Sequence, residues 1–68
     1  MISGKIISEN IKKLRAKLCL TQDDLAKKAD IKYTTLMKVE SGAVNRPSVQ
    51  TMAKIAKALG VSIEELIK

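Results

Sequence analysis

Aliphatic residues recur at intervals of three and four along most of this chain, and that spacing places them on one face of an α-helix. In the first segment the apolar face consists of Ile7, Ile11, Leu14 and Leu18. The opposite side of the same segment carries lysines at positions 12, 13 and 17. The spacing therefore predicts an amphipathic first helix with one buried face.

Start and stop signals divide the middle of the chain into two further short helices. In the stretch TQDD, Thr21 can accept a hydrogen bond from the backbone N–H of Asp24, which favours a helix start. The inner face of this second helix is narrow and consists of Leu25, Ala26 and Ala29. A third helix is predicted from about residue 33, with Leu36 and Val39 directed inward and Gly42 at its end.

Two more helices are predicted after the loop GAVNRPS, which is closed by Pro47 and by the N-cap candidate Ser48. The fourth helix ends at Gly60, and its apolar stripe consists of Val49, Met52, Ile55, Ala56 and Leu59. The fifth begins with a predicted capping box between Ser62 and Glu65. Its predicted buried residues are Ile63, Leu66 and Ile67. The predicted fold class is all-α, with five short helices in one domain spanning residues 1–68.

The composition limits both the core and the chemistry. Phe and Trp are absent, so the core of this 68-residue chain must be aliphatic. We expect Cys19, in the apolar run LCL, to be a small buried thiol rather than a reactive or intermolecularly paired one. With one Cys and no His, the chain has no intramolecular disulfide and no plausible zinc site, and we expect no metal or cofactor.

Charge and hydropathy narrow the classes of function. No segment approaches the roughly 20 apolar residues of a membrane span, and the opening MISGKII is too short for a signal peptide, so we expect a cytoplasmic protein. The net charge of +6 favours a polyanionic partner. An enzyme is not expected, because His, a paired nucleophile and base, and a phosphate-binding glycine loop are all missing. A membrane-surface role is not expected either, since the apolar faces are used by the core.

The second and third helices, residues 22–40, fit a helix-turn-helix arrangement. A short turn around Asp30 joins them, and the small Ala26 allows the two helices to cross steeply. Ile31 fills the corner between the helices, while Leu36 and Val39 hold the third helix on the core. The outer face of the third helix would then stand clear of the body, as entry into the roughly 12 Å major groove of DNA requires.

The stretches TQDDLAKKADIKYTTLMKVESG, RPS and IAKALGVSIEELI resemble the lambda-repressor-like DNA-binding domain, also called the Cro/C1-type or XRE family. The resemblance spans about residues 7–67. Its three matching features are TQ at the start of the second helix, VESG at the end of the third, and ALGVS between the fourth and fifth. Three positions depart from the family's pattern. Asp30 stands where Gly is usual, Cys19 where Gly is common, and Lys32 where Ser or Thr commonly caps the third helix.

The resemblance implies a set of DNA-contacting residues. Base contacts are expected from the recognition helix, about residues 33–41, through Tyr33, Thr34 and Lys38, with more variable roles for Lys32, Thr35 and Met37. Phosphate contacts are expected from Gln22, Asn45 and Arg46. Asp23 and Asp24 beside Gln22 are unfavourable for a phosphate contact unless they point away. The remaining lysines, at 12, 13, 17, 27, 28, 54 and 57, are expected on solvated faces.

The resemblance also pairs Arg15 with Glu40, and the spacing of these residues from Ile11 and Leu36 allows that ion pair independently. The function implied is a sequence-specific, nucleoid-associated transcriptional regulator, with repression as the expected mode. We expect a homodimer on a near-palindromic site, with the fifth helix and the preceding loop as the dimer surface. The alternative is an antitoxin or a phage-type accessory module that acts mainly through a protein partner.

Overall fold

The chain is all-helical where its structure is described. The computed structural model describes residues 4–42 and 48–68. In these ranges the chain forms no strand and five helices: α1 (Gly4–Lys17), α2 (Gln22–Ala29), α3 (Tyr33–Glu40), α4 (Val49–Leu59) and α5 (Ile63–Ile67). The predicted all-α fold class is confirmed.

An aliphatic core joins the helices. α1 packs against α3 and α5, α2 packs against α3 and α4, and α4 also packs against α5. The most completely buried apolar side chains are Ile7, Ile11, Leu25, Leu36, Ile55 and Leu66. Every described helix contributes to this set, so each is anchored by at least one buried aliphatic side chain.

Five residues on the predicted apolar faces are less buried than expected. Leu18 is 45% exposed because α1 ends one residue earlier, at Lys17, so Leu18 no longer follows the helical face. Val49 is 76% exposed because it is the first residue of α4, one turn away from the buried Met52. Leu14, Ile63 and Ile67 are half-buried and pack at the edge of the core.

Three helices end with the same backbone turn, in which a residue in the left-handed conformation follows the helix. These residues are Cys19 (φ 57°), Asp30 (φ 57°) and Gly60 (φ 73°). In each turn the next residue donates its backbone N–H five residues back: Leu20 to Arg15, Ile31 to Ala26, and Val61 to Ala56. Leu20, Ile31 and Val61 each pack against the core. Each chain reversal is therefore set by backbone hydrogen bonds and fixed by one apolar side chain.

This turn contradicts the prediction that Cys19 is buried. Cys19 occupies the left-handed position of the turn, and the residue is exposed. The neighbouring Leu20, not Cys19, is directed to the core. Asp30 adopts the left-handed conformation that the family resemblance implies for this position, where Gly is usual. Aspartate tolerates this conformation better than most residues.

Of the helix caps predicted at Thr21 and Ser62, the structure contains the first but not the second. At the start of α2, Thr21 Oγ1 accepts from the backbone N–H of Asp24 at 3.0 Å, and the Asp24 carboxylate accepts from the N–H of Thr21 at 3.1 Å. The predicted capping box of Ser62 and Glu65 is wrong, since the Ser62 side chain makes no cap hydrogen bond. The Glu65 carboxylate pairs instead with the Lys68 ammonium group, 3.4 Å away.

The capping box of α2 gives an expected pH dependence. The hydrogen bonds from Thr21 lower the pKa of Asp24 below its ordinary value. As the pH falls, the unfolded chain therefore takes up the proton first, and protonation favours unfolding. The stabilisation is complete at neutral pH and is lost as the pH falls below about 4. We expect the melting temperature of Asp24→Asn to lie below that of the wild type at pH 7, and the gap to narrow at pH 3. A gap that stays constant in thermal scans at both pH values would contradict this.

Candidate nucleic-acid interface

α2 and α3 form a helix-turn-helix pair whose inner side is packed. Leu25, Ala26 and Ala29 of α2 are buried, as are Leu36 and Val39 of α3. Residues 30–32 connect the two helices, and the half-buried Ile31 packs against the core at this corner. The small side chain of Ala26 lies in the core, as the close approach of two steeply crossing helices requires.

The opposite side of α3 stands clear of the described body. Tyr33 is 43% exposed and Met37 45% exposed. Thr34 and Lys38 are also exposed, and Thr35 is half-buried. The side chains of Thr34 and Lys38 form no hydrogen bond or ion pair with another described residue. This face, which we call the recognition face, therefore carries polar groups without partners in the described body.

Lys32 lies immediately before this face, at the N-cap of α3. Its side chain makes no cap hydrogen bond and is exposed. The first turn of α3 contains no acidic residue. The start of the helix therefore presents unneutralised backbone N–H groups next to a lysine ammonium group, and both favour an anion nearby.

A buried ion pair lies beneath the helix-turn-helix. The Arg15 guanidinium donates hydrogen bonds to both carboxylate oxygens of Glu40. Its Nε lies 3.1 Å from Oε2, and one terminal nitrogen lies 3.1 Å from Oε1. The Glu40 side chain is 1% exposed and that of Arg15 is 22% exposed. The other terminal nitrogen of Arg15 donates to the carbonyl of Leu20, in the turn after α1. Ser8 donates its hydroxyl to the backbone carbonyl of Glu40. The end of α3 is thus tied to α1 by both the side chain and the backbone of Glu40.

Gln22 connects this ion pair to the recognition face. Its Nε2 donates to Glu40 Oε1 at 3.3 Å, and its Oε1 accepts from the hydroxyl of Tyr33 at 3.2 Å. Both distances are slightly longer than is usual, about 3.2 Å at most for N–H···O and about 3.0 Å for O–H···O, so these contacts orient the side chains more than they stabilise the fold. Neither periodicity nor motif spacing predicts this contact, because Gln22 and Tyr33 belong to different helices.

The hydrogen bonds of Gln22 to Glu40 and Tyr33 leave one N–H of its amide group available for the predicted phosphate contact. An amide nitrogen carries two N–H donors. One N–H of Gln22 is directed to Glu40, and no described residue accepts from the other. A phosphate oxygen could accept from that second N–H without breaking the contacts to Glu40 and Tyr33.

The two acids beside Gln22 have partners within or next to α2. The Asp24 carboxylate accepts from the N–H of Thr21, as described above. Asp23 pairs with Lys27 at 3.1 Å on the exposed side of the helix. Their charges are therefore partly compensated, which reduces the repulsion that they would exert on an anion near Gln22.

Two of the residues predicted to contact phosphates lie in the predicted loop before α4. Asn45 and Arg46 belong to residues 43–47, which lie outside the described residues, as does most of the predicted loop GAVNRPS. The lysines predicted on solvated faces, at 12, 13, 17, 27, 28, 54 and 57, are all exposed.

A metal site and a membrane-spanning helix each place structural requirements on the described residues. Among residues 4–42 and 48–68, no group of three or more His, Cys, Asp or Glu side chains could hold a metal ion. Within the same ranges, no helix has the length and apolar character needed to cross a membrane.

The packed pair α2–α3 with its outward recognition face defines the chain as a helix-turn-helix protein. The sequence model of the helix-turn-helix family matches residues 11–66, which is most of the chain. The chain belongs to the lambda-repressor-like helix-turn-helix family.

Relatives in archaea are similar over nearly the whole chain. An uncharacterized HTH-type transcriptional regulator of Methanocaldococcus jannaschii is 40% identical over 60 residues, which cover 88% of this chain and 89% of the relative. An uncharacterized HTH-type transcriptional regulator of Archaeoglobus fulgidus is 39% identical over 56 residues, which cover 82% of this chain and 79% of the relative.

Solved structures of bacterial regulators share the fold. The N-terminal DNA-binding domain of SinR from Bacillus subtilis superposes with a TM-score of 0.89 at 28% identity, covering 94% of this chain and 93% of that domain. SinR, the master regulator for biofilm formation, has also been solved in complex with DNA; that structure gives a TM-score of 0.86 at 29% identity, with 91% of this chain and 98% of that chain covered. The restriction-modification controller protein C.AhdI from Aeromonas hydrophila superposes with a TM-score of 0.85 at 27% identity, covering 93% of this chain and 94% of that chain.

Proposed function

We propose that this protein binds double-stranded DNA in a sequence-specific manner and regulates transcription, as a repressor. The observation that carries the proposal is the recognition face, which is exposed on a helix whose other side is packed into the core. The similarity to SinR, which has been solved in complex with DNA, supports the same function. α3, which corresponds to the recognition helix predicted at about residues 33–41, would lie in the major groove, which is wide enough for a helix.

The proposed base contacts come from the exposed residues of the recognition face. Lys38 can donate to guanine O6 and N7, Thr34 offers a hydroxyl and a methyl group, and Tyr33 offers a phenol. Lys32, Thr35 and Met37 lie around them and would add contacts at the edge of the groove. The role of this surface is binding, and it requires no cofactor.

The proposed phosphate contacts surround the recognition face. Gln22 would use its second N–H at the start of α2, where the backbone N–H groups also favour an anion. Asn45 and Arg46 are assigned to the DNA backbone by resemblance to the family. The net charge of +6 would add long-range attraction to the phosphates.

The proposed assembly is a homodimer in which residues 1–68 act as one DNA-binding domain. Two copies of α3 would enter successive major grooves about 34 Å apart, because one small module makes too few base contacts to be selective. The half-buried Ile63 and Ile67 of α5 support this helix as the dimer surface. A protein bound to DNA in this way would work in the cytoplasm, on the nucleoid.

The proposal is tested by selecting bound duplexes from a random pool and then measuring affinities of variants. We expect Lys38→Ala to lower the preference for the selected site over random duplex by about 1–3 kcal/mol, because it removes a base contact. Arg46→Ala should weaken binding to all sequences alike, because a phosphate contact carries no sequence information. It should also reduce the slope of log affinity against log salt by about 0.9 for each phosphate that the variant no longer neutralises.

The matched control is Lys54→Ala, which removes the same charge from an exposed position on α4. It should retain the preference of the wild type for the selected site. If Lys38→Ala and Arg46→Ala bind every duplex as the wild type does, the assigned surface is wrong. If the wild type selects no site at all, the alternative of a module acting through a protein partner gains support.

A further inference from the structure

We propose that Tyr33 contacts DNA as a hydrogen-bond acceptor, and that it therefore selects a base carrying an exocyclic amino group, adenine or cytosine, at the position it reaches. The inference rests on the proposed function, since it specifies how one residue of the recognition face would discriminate among bases. It follows from the direction of the hydrogen bonds that run from Arg15 through Glu40 and Gln22 to Tyr33.

The Glu40 side chain acts only as an acceptor. Arginine has donors and no acceptor, and it can bind both oxygens of a carboxylate with two parallel N–H groups. Arg15 does this here, with both nitrogen–oxygen distances at 3.1 Å. Neither oxygen of Glu40 therefore donates a hydrogen bond to a neighbouring side chain.

Glu40 in turn fixes the orientation of the Gln22 amide. The amide group has a donor end and an acceptor end. Only the donor end, Nε2, can face the carboxylate, and it lies 3.3 Å from Glu40 Oε1. The reversed orientation would place the amide oxygen against a negative charge. Gln22 Oε1 is therefore directed to Tyr33.

This amide oxygen accepts the one hydrogen bond that the Tyr33 hydroxyl group can donate. The Tyr33 oxygen lies 3.2 Å from Gln22 Oε1, and between these two atoms only the phenol can donate. The lone pairs of the phenol oxygen remain, and the residue is 43% exposed on the recognition face. Toward DNA, Tyr33 thus presents an acceptor.

Few groups of DNA can donate to that oxygen. In the major groove, the donors are the N6 amino group of adenine and the N4 amino group of cytosine. Guanine O6 and N7, thymine O4 and the phosphate oxygens are all acceptors. The contacts therefore favour adenine or cytosine opposite Tyr33, and they disfavour a phosphate as its partner.

The experiment combines a tyrosine variant with deletion of a single base group. The selected sites of the wild type and of Tyr33→Phe identify the base pair at which the preference depends on the hydroxyl group. At that pair, adenine is replaced by purine, or cytosine by 2-pyrimidinone, which removes only the exocyclic amino group. We expect this replacement in one half-site to weaken wild-type binding about threefold to tenfold, as for one hydrogen bond. We expect it to leave the affinity of Tyr33→Phe unchanged.

A second variant tests the origin of the direction. Gln22→Met keeps a side chain of similar length but offers Tyr33 no amide oxygen, so the hydroxyl group becomes able to donate as well as accept. Because the hydroxyl group can still accept but can now also donate, we expect the dependence on the amino group to weaken in Gln22→Met, with guanine or thymine newly tolerated at that position. We expect the dependence to persist in Lys38→Ala, which changes a base contact outside the hydrogen-bond chain. Tyr33→Phe removes one oxygen from a half-exposed side chain, so its folding is retained, and this is checked by its melting temperature.

The outcomes separate this inference from the proposed function. A wild type that selects no site contradicts the function itself. A wild type that selects a site which Tyr33→Phe also selects without change contradicts the role of Tyr33 only. A dependence on removal of thymine O4, guanine O6 or guanine N7 that is absent in Tyr33→Phe would show that Tyr33 donates, and would overturn the inference.

Discussion

In Glu40→Gln we expect a loss of about 3 kcal/mol in the free energy of unfolding, the lower end of the cost of breaking a buried ion pair. Glutamine has nearly the same shape, but its amide nitrogen would face a donor of Arg15, and the Arg15 charge would lose its partner. We place the cost at the lower end because Arg15 is 22% exposed, so water compensates part of the missing interaction. For a domain of this size, the melting temperature should fall by about 12–24 °C.

The control for this variant is Glu64→Gln, which makes the same chemical change on the exposed side of α5. Its melting temperature should remain within about 4 °C of the wild type, since exposed substitutions usually change stability by less than about 0.5 kcal/mol. Thermal unfolding followed by circular dichroism measures both. Equal melting temperatures for the two variants would mean that the pair contributes nothing to the fold.

In Leu36→Ala we expect a loss of about 2–5 kcal/mol, because the variant leaves a cavity beneath the recognition face. Leu36 is completely buried and anchors α3 to the core. A chain of 68 residues has a total stability of roughly 3–10 kcal/mol, so this loss is a large fraction of it. The variant should be partly or wholly unfolded at room temperature, as denaturant titration would show.

The neighbouring variant Met37→Ala is the matched control, since it truncates a long apolar side chain on the same helix. Met37 is 45% exposed, so its truncation should change the free energy of unfolding by less than about 0.5 kcal/mol. If Met37→Ala were as destabilising as Leu36→Ala, α3 would be packed on both sides. The recognition face would then not be available to DNA.

The fold was largely predictable because its determinants are local. The three- and four-residue spacing of aliphatic side chains located the helices, and Thr21 with Asp24 marked the start of α2 correctly. The left-handed turn at Asp30 followed from the glycine usual there in the family. Cys19 was placed wrongly because its position in an apolar run suggested burial, whereas the turn after α1 directs Leu20 to the core instead. The predicted capping box at Ser62 is wrong, since the Ser62 side chain makes no cap hydrogen bond and the Glu65 carboxylate pairs with Lys68.

The exposure of the site residues could be predicted from the sequence, whereas the hydrogen bonds of Gln22 beneath them could not. Helical geometry places Tyr33, Thr34 and Lys38 on the side opposite Leu36 and Val39, and the structure has them exposed. The resemblance and the spacing both indicated the contact of Arg15 with Glu40. The contact of Gln22 with Glu40 and Tyr33 depends on how three side chains from two helices meet in space. Periodicity along the chain contains no information of that kind.

Residues of the recognition face differ in whether their side chains form hydrogen bonds with the rest of the domain, and this difference affects how the DNA preference of this protein could evolve. Thr34 and Lys38 form no hydrogen bond with the rest of the described body through their side chains, so mutation can exchange them one at a time without a structural cost. Tyr33 donates to Gln22, which in turn donates to the buried Glu40, so a replacement of Tyr33 that reverses this hydrogen-bond direction calls for a compensating change at Gln22. Under the proposed base contacts, new operator preferences among descendants of this sequence would therefore arise in single steps at Thr34 and Lys38 and in coupled pairs of changes at Tyr33.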